Sequence, residues 1–213
     1  MAGSLNPTLV QIIPPTPSTE RGRNIHISEN ANRLMYGSGS TVVILNLDNT
    51  TTCDIYTEHN ARVTCAKFSP SGYWAASGDA NGNIRIWSTN HPEKIIKYET
   101  KMFSGAVRDI AWNADSDRVA FGGESAQSFA QVVMYDTGNT VGNLSGHTKV
   151  VLSIDIRPKR PFRLITGSED MAVHFYEGPP FKFKSASKTH TNFVNCIRFS
   201  PDGERFASVG SDK

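Results

Sequence analysis

An all-β chain assembled from repeated four-stranded units is the fold class this sequence predicts, and two observations predict it. The first is a recurring segment: VTCAKFSPSGYWAASGD from Val63, VRDIAWNADSDRVAFGG from Val107, VLSIDIRPKRPFRLITG from Val151 and VNCIRFSPDGERFASVG from Val194. Successive copies lie 44, 44 and 43 residues apart. Each carries an apolar residue five positions after the valine (Phe68, Trp112, Ile156, Phe199) and a small or aliphatic one thirteen after it (Ala76, Ala120, Leu164, Ala207). The second observation is that the first three units close with another short apolar run: Ile84-Arg-Ile-Trp87, Val132-Val-Met-Tyr135 and Val173-His-Phe-Tyr176. Period-two runs of β-branched and aromatic residues, separated by Ser-Pro-Ser-Gly, Ser-Pro-Asp-Gly or Asn-Gly-Asn, predict strands joined by tight turns.

Repeats of this length carrying four strands each are the pattern of β-propeller blades. A weaker copy upstream predicts strands around Ile25–Ser28, Leu34–Tyr36 and Val42–Leu45. The chain therefore divides into an N-terminal extension, 1–22, and a partial propeller, 23–213. Its blades are expected near 23–54, 55–98, 99–144 and 145–188, with an incomplete fifth from 189 to 213. Gly146-His147, and the closing pairs Trp87-Ser88, Tyr135-Asp136 and Tyr176-Glu177, are degraded forms of the Gly-His and Trp-Asp pairs of WD repeats. The predicted fold is a WD-repeat β-propeller of about four blades plus the start of a fifth. His59, His147 and His190 recur at one repeat position. With the turn carboxylates Asp79 and Asp170 and the closing aromatic Trp87, they are expected to fasten strands within a blade by hydrogen bonds.

Composition narrows the function. Lys and Arg number 22 against 20 Asp and Glu, a net charge of +2 that nominates neither nucleic acid nor a membrane surface as partner. Cys53, Cys65 and Cys196 have no CxxC spacing and are too few for a disulfide framework, which favours a reducing compartment. No apolar run approaches the roughly 18 residues of a membrane span, and no signal sequence opens the chain, so a cytoplasmic address is expected. An enzyme reading finds little. The three repeated histidines belong to different blades rather than one metal shell, and His26, His91 and His174 have no partner at recognisable spacing. Cys65 and Cys196 share a repeat position where a buried, unreactive residue is expected. Gly78-Asp-Ala-Asn-Gly82 and Gly122-Gly-Glu-Ser lack the strand-to-helix context of a phosphate loop. No catalytic residue, cofactor or metal site is predicted.

One segment is poorly explained by blade architecture: Phe181-Lys-Phe-Lys184, preceded by Pro179-Pro180. Strict alternation puts Phe181 and Phe183 on one face and the lysines on the other. This is either an edge strand with phenylalanines packed inward and lysines guarding the edge, or an aromatic and basic patch facing a partner.

The blocks YTEH (Tyr56–His59), SPSGYWAASGDANGNIRIW (Ser69–Trp87), FSGAVRDIAW (Phe103–Trp112), TGSEDMAVHFYEGPPFKFK (Thr166–Lys184) and FVNCIRFSPDGERFAS (Phe193–Ser208) resemble the N-terminal propeller of the actin-interacting protein one family, WD-repeat cofactors of cofilin. The resemblance runs from about Tyr56 to Lys213, and EGPPFKFK is its most specific part. It implies a parent with two consecutive seven-bladed propellers, of which this chain would be a portion. It further implies a monomeric actin-binding protein of the cytoplasm and cortical actin cytoskeleton, which promotes filament disassembly with cofilin and without covalent chemistry. Glu169, Phe183 and Phe193 match positions of the implicated surface, with Phe181 beside them. Relatives carry a charged stretch where this chain reads Gly123-Glu-Ser-Ala-Gln-Ser-Phe129, so Gln127 replaces an acidic residue and cannot make the same ion pair. The alternative is a generic WD-repeat scaffold for another complex.

Overall fold

The computed structural model describes residues 14–20, 23–49 and 52–212. Among the described residues it contains eighteen strands and no helix. The first sheet holds β1 (Ile27–Asn30), β2 (Arg33–Ser38), β3 (Thr41–Asn46) and β4 (Cys53–Tyr56). The second holds β5 (Val63–Phe68), β6 (Trp74–Asp79), β7 (Asn83–Ser88) and β8 (Ile96–Lys101). The third holds β9 (Val107–Trp112), β10 (Arg118–Gly123), β11 (Ala130–Met134) and β12 (Thr140–Asn143). The fourth holds β13 (Val151–Ile156), β14 (Arg163–Ser168), β15 (Val173–Glu177) and β16 (Lys182–Ser187). A two-stranded fifth sheet pairs β17 (Val194–Phe199) with β18 (Phe206–Gly210). Every pairing is antiparallel between chain neighbours, the meander expected of propeller blades. The outer strands β4 and β8 run past 54 and 98, because Tyr56 pairs with Val42 and Lys101 with Asn83.

The recurring valine has a steric partner that explains its period. Val63, Val107, Val151 and Val194 open the first strands of sheets two to five, and all are buried. Each abuts a glycine in the second strand of the preceding sheet. A Cβ added at Gly37, Gly78, Gly122 or Gly167 would lie 3.0, 2.6, 2.8 or 2.7 Å from Cγ1 of the respective valine. Glycine makes a notch, and the stiff β-branched side chain of the next blade fills it. Gly78→Ala should therefore push sheets two and three apart and lower stability by about 1–3 kcal/mol, read as a fall in urea midpoint.

Between the sheets lie apolar layers. Met35, Val42, Ile44 and Tyr56 of sheet one meet Ala66, Phe68, Ala75 and Trp87 of sheet two, with Tyr56 stacked on Trp87 at 4.1 Å and 5°. Among the described residues, sheet five has an apolar layer on one flank only, against Ile165 and Val173 of sheet four. This accounts for two departures from the repeat: Ala207 is exposed where Ala76, Ala120 and Leu164 are buried, and Cys196 is half-buried where Cys65 is sealed. The burial expected of both cysteines therefore describes Cys65 alone, whose thiol burial pushes up to about 12. Of the predicted extension 1–22, only 14–20 are described: Ser18 donates its amide to Gly37 O at 2.9 Å and accepts from the Gly39 amide through Oγ at 2.7 Å.

Candidate functional site

Three polar networks fasten individual blades. In sheet two, His59 Nδ1 lies 3.2 Å from Asp79 Oδ2, its Nε2 lies 2.7 Å from Ser77 Oγ, and Trp87 Nε1 donates to the same oxygen at 3.1 Å. Asp79 also accepts the amides of Asn81 and Asn83, which shapes the turn. In sheet four, His147 Nδ1 is 2.9 Å from Asp170 and its Nε2 is 2.7 Å from Thr166 Oγ1. Tyr176 replaces tryptophan there and donates instead to Ser145 O at 2.9 Å. In sheet five, His190 reaches Asp212 at 2.9 Å and Ser208 Oγ at 2.8 Å. Sheet three has none of this: Phe103, one repeat after His59, is buried with Phe121 and Val133 in an apolar layer. The hydroxyl members Ser77, Thr166 and Ser208 follow from the register, since each sits on the second strand of its sheet facing the histidine.

Two histidines without a sequence partner acquire one in space. His26 Nδ1 lies 3.5 Å from Asp109 Oδ1, and His174 stacks on His147 with centroids 3.7 Å apart and planes within 10°. Donor atoms of His147, Asp170 and His174 all fall within 4.8 Å. Parallel stacked imidazoles point their in-plane lone pairs side by side, however, so in this arrangement the two rings do not converge on one ion. Burial, then the adjacent His147, lowers the His174 pKa to about 4 despite the pull of Asp170.

A charged hub at the inner strands is invisible in the motifs. Asp109, on β9, is wholly buried. It receives Lys67 Nζ from β5 at 3.1 Å, Arg198 Nη1 from β17 at 2.8 Å, Ser153 Oγ from β13 at 2.9 Å and the Ile154 amide at 3.0 Å. Burial alone would raise its pKa, but the Lys67 and Arg198 cations, with His26 and the Ile154 amide, hold the carboxyl far below the usual carboxylate range. Cys65, Asp109, Ser153 and Cys196 occupy one position, two after the valine, so the repeat marks this column even though only its cysteines stand out by type.

The candidate partner residues separate into three environments. In a meander, connections from second to third strand and from fourth strand to the next sheet leave at one end of the sheets. That end carries Gln127, Glu169 and Phe193. Glu169 and Phe193 line one open cleft with Leu152, Asn195 and Ser211, and Arg23 Nη1 lies 3.8 Å from Glu169. Phe193 is 38% exposed, with Lys149 Nζ 6.0 Å from its ring centroid. Gln127 is exposed in the β10–β11 connection. Phe183 is 48% exposed on outer strand β16, outside that cleft, and rests on His174 and Tyr176. Phe181 is different: at 2% exposure it lies in the apolar layer between sheets three and four, with Leu144 and Leu164. It offers no surface to a partner, and the common face for Phe181 and Phe183 does not form. The reason is that β16 begins at Lys182, leaving Phe181 in the preceding turn, and the β15–β16 register shifts between Phe175 and Tyr176.

The family description "WD domain, G-beta repeat" matches residues 50–88, 138–177 and 182–213, more than half of the chain. WD repeat-containing protein 1 of Gallus gallus is 48% identical over 198 residues, covering 92% of this chain and 32% of the relative. The 66 kDa stress protein of Physarum polycephalum is 45% identical over 207 residues, covering 96% of this chain and 34% of the relative. The chain thus spans about a third of the length of these curated relatives. A chain in the crystal structure of the Mitotic Checkpoint Complex superposes with a TM-score of 0.76 at 20% identity, covering 87% of this chain and 60% of that one. Sqt1 from Chaetomium thermophilum, bound to the N-terminus of ribosomal protein L10, gives 0.73 at 16%, covering 84% of this chain and 53% of that one. Both are likenesses of fold. With glycine-notched blades, His–Asp–Ser/Thr networks and this sequence identity, the chain belongs to the WD domain, G-beta repeat family, in the group of WD repeat-containing protein 1, the actin-interacting protein one family.

Proposed function

We propose that this chain is a non-catalytic portion of an actin regulator, which binds filaments carrying cofilin and promotes their disassembly in the cytoplasmic actin cortex. The observation that carries the reading is the shared cleft of Glu169 and Phe193, together with Phe183 exposed on the outer strand of the fourth sheet: an acidic group and two aromatic anchors accessible from solvent. Phe193 and Phe183 would supply apolar contact area, and Glu169 would exchange Arg23 for a basic group of the partner. Gln127 contributes hydrogen bonds where an acidic residue would contribute charge, so binding should depend less on salt than an ion-paired surface would. Neither cofactor nor metal enters this mechanism. Binding energy alone, spent on one filament state over another, shifts the filament toward disassembly.

Sedimentation with actin filaments, with and without cofilin, is the test. Pelleting of the folded chain with cofilin-bearing filaments, and about tenfold less with bare filaments, is the expected outcome. Equal partition in both conditions, or none in either, would reject it in favour of a WD-repeat scaffold serving another complex.

A further inference from the structure

His174 is buried, yet it lies directly beneath an exposed aromatic. Its ring stacks on His147 and meets Phe183 edge-on, with centroids 5.1 Å apart and planes at 69°. Phe183 has one other aromatic neighbour, Tyr176 at 6.0 Å. Gly146 closes the same nest: a Cβ there would lie 3.0 Å from the His174 ring and 3.5 Å from Phe183 Cδ2. The exposed phenyl ring thus has a built seat, whose floor is an imidazole.

We propose that His174 is the positioning residue of Phe183, holding the ring in its exposed pose while the imidazole is neutral and releasing it, with outer strand β16, when the imidazole is protonated. The consequence for partner binding rests on the function proposed above; the seat itself does not. The groups facing His174 come from four directions: His147 from the segment before β13, Asp170 from the β14–β15 connection, Tyr176 from its own strand at 3.4 Å from Nδ1, and Lys188 from the segment after β16. His147 and Lys188 oppose a charge on His174, Asp170 favours one, and burial outweighs them all. The folded state therefore prefers the neutral ring. That preference is fully present above the ordinary value of 6.5 and is lost as pH falls from there toward about 4. A protonated His174 would have to leave the stack to regain water, and Phe183 would lose its floor.

The test is an NMR titration of the full chain from pH 7 to 4, following His174 Cε1–H and the Phe183 ring together. Both should move with one midpoint well below 6.5, while in His174→Phe, which keeps an aromatic floor without a proton to gain, the Phe183 signals stay still. Phe183 signals that ignore the His174 titration, or that move the same way in His174→Phe, overturn the proposal. At pH 7, His174→Ala should bind cofilin-bearing filaments about three- to tenfold more weakly than the parent chain, and His174→Phe within about twofold. Equal weakening in both variants would also overturn it. A parent chain that binds no filaments rejects the proposed function instead, and the titration still decides the role of His174.

Discussion

Asp109→Ala is expected to lower stability by about 3 kcal/mol or more, measured as the urea unfolding free energy at neutral pH. The substitution removes the one carboxylate on which Lys67, Arg198, Ser153 and the Ile154 amide converge from three other sheets. It leaves two cations facing each other in a poorly solvated space, and an amide and a hydroxyl without their acceptor. Breaking a buried pair typically costs about 3–5 kcal/mol, and partial exposure of Arg198 places this case at the lower end. The acid dependence has a definite sign. The Asp109 pKa lies far below its ordinary 3.8, so its contribution is complete above that value and starts to fall only below it. The variant should therefore lose stability almost equally at pH 7 and pH 5. A loss under 1 kcal/mol would mean that solvent or the neighbouring Asp155 carboxyl, rather than Asp109, neutralises the inner strands.

The other large effect belongs to Trp87. It is fully buried, stacks on Tyr56 across the first blade interface and donates to Ser77 within its own blade. Trp87→Ala removes the stack, the hydrogen bond and the apolar volume together and should cost about 4 kcal/mol. Trp87→Phe keeps part of the stack but loses the N–H donor and some ring volume, so about 1–2 kcal/mol is expected. Thermal melts of the two variants separate the contributions; equal losses would show that the hydrogen bond, and not the stacking, dominates.

Much of the fold is legible in the chain because its repeat acts at short range. The valine period, the closing aromatics and the turn glycines each report a local requirement repeated blade after blade, and the glycine notch explains why the valine is so constant. His59, Asp79 and Trp87 are readable for the same reason. The Asp109 hub is not, since Lys67 comes from the neighbouring sheet two and Arg198 from sheet five, beyond the intervening sheet four, and no local pattern couples them. Its trace is only a column of Cys, Asp, Ser and Cys at one repeat position. Phe181 and Phe183 fail differently: period-two alternation holds inside a strand, and the strand starts one residue too late to include Phe181. Likewise His174 has no spacing signal because its partner His147 lies across the sheet, in the approach to β13.

The most direct test of the account is a Phe183→Ala, Phe193→Ala double variant, assayed in one sample for thermal stability and for sedimentation with cofilin-bearing filaments, beside Phe181→Ala. Exposed anchors should leave the melting temperature within a few degrees of the parent chain and cut binding at least about tenfold, whereas Phe181→Ala should cost about 3–5 kcal/mol as a core truncation. A double variant that pellets like the parent chain, or that melts as early as Phe181→Ala, would contradict the assignment of these rings to a partner-binding surface.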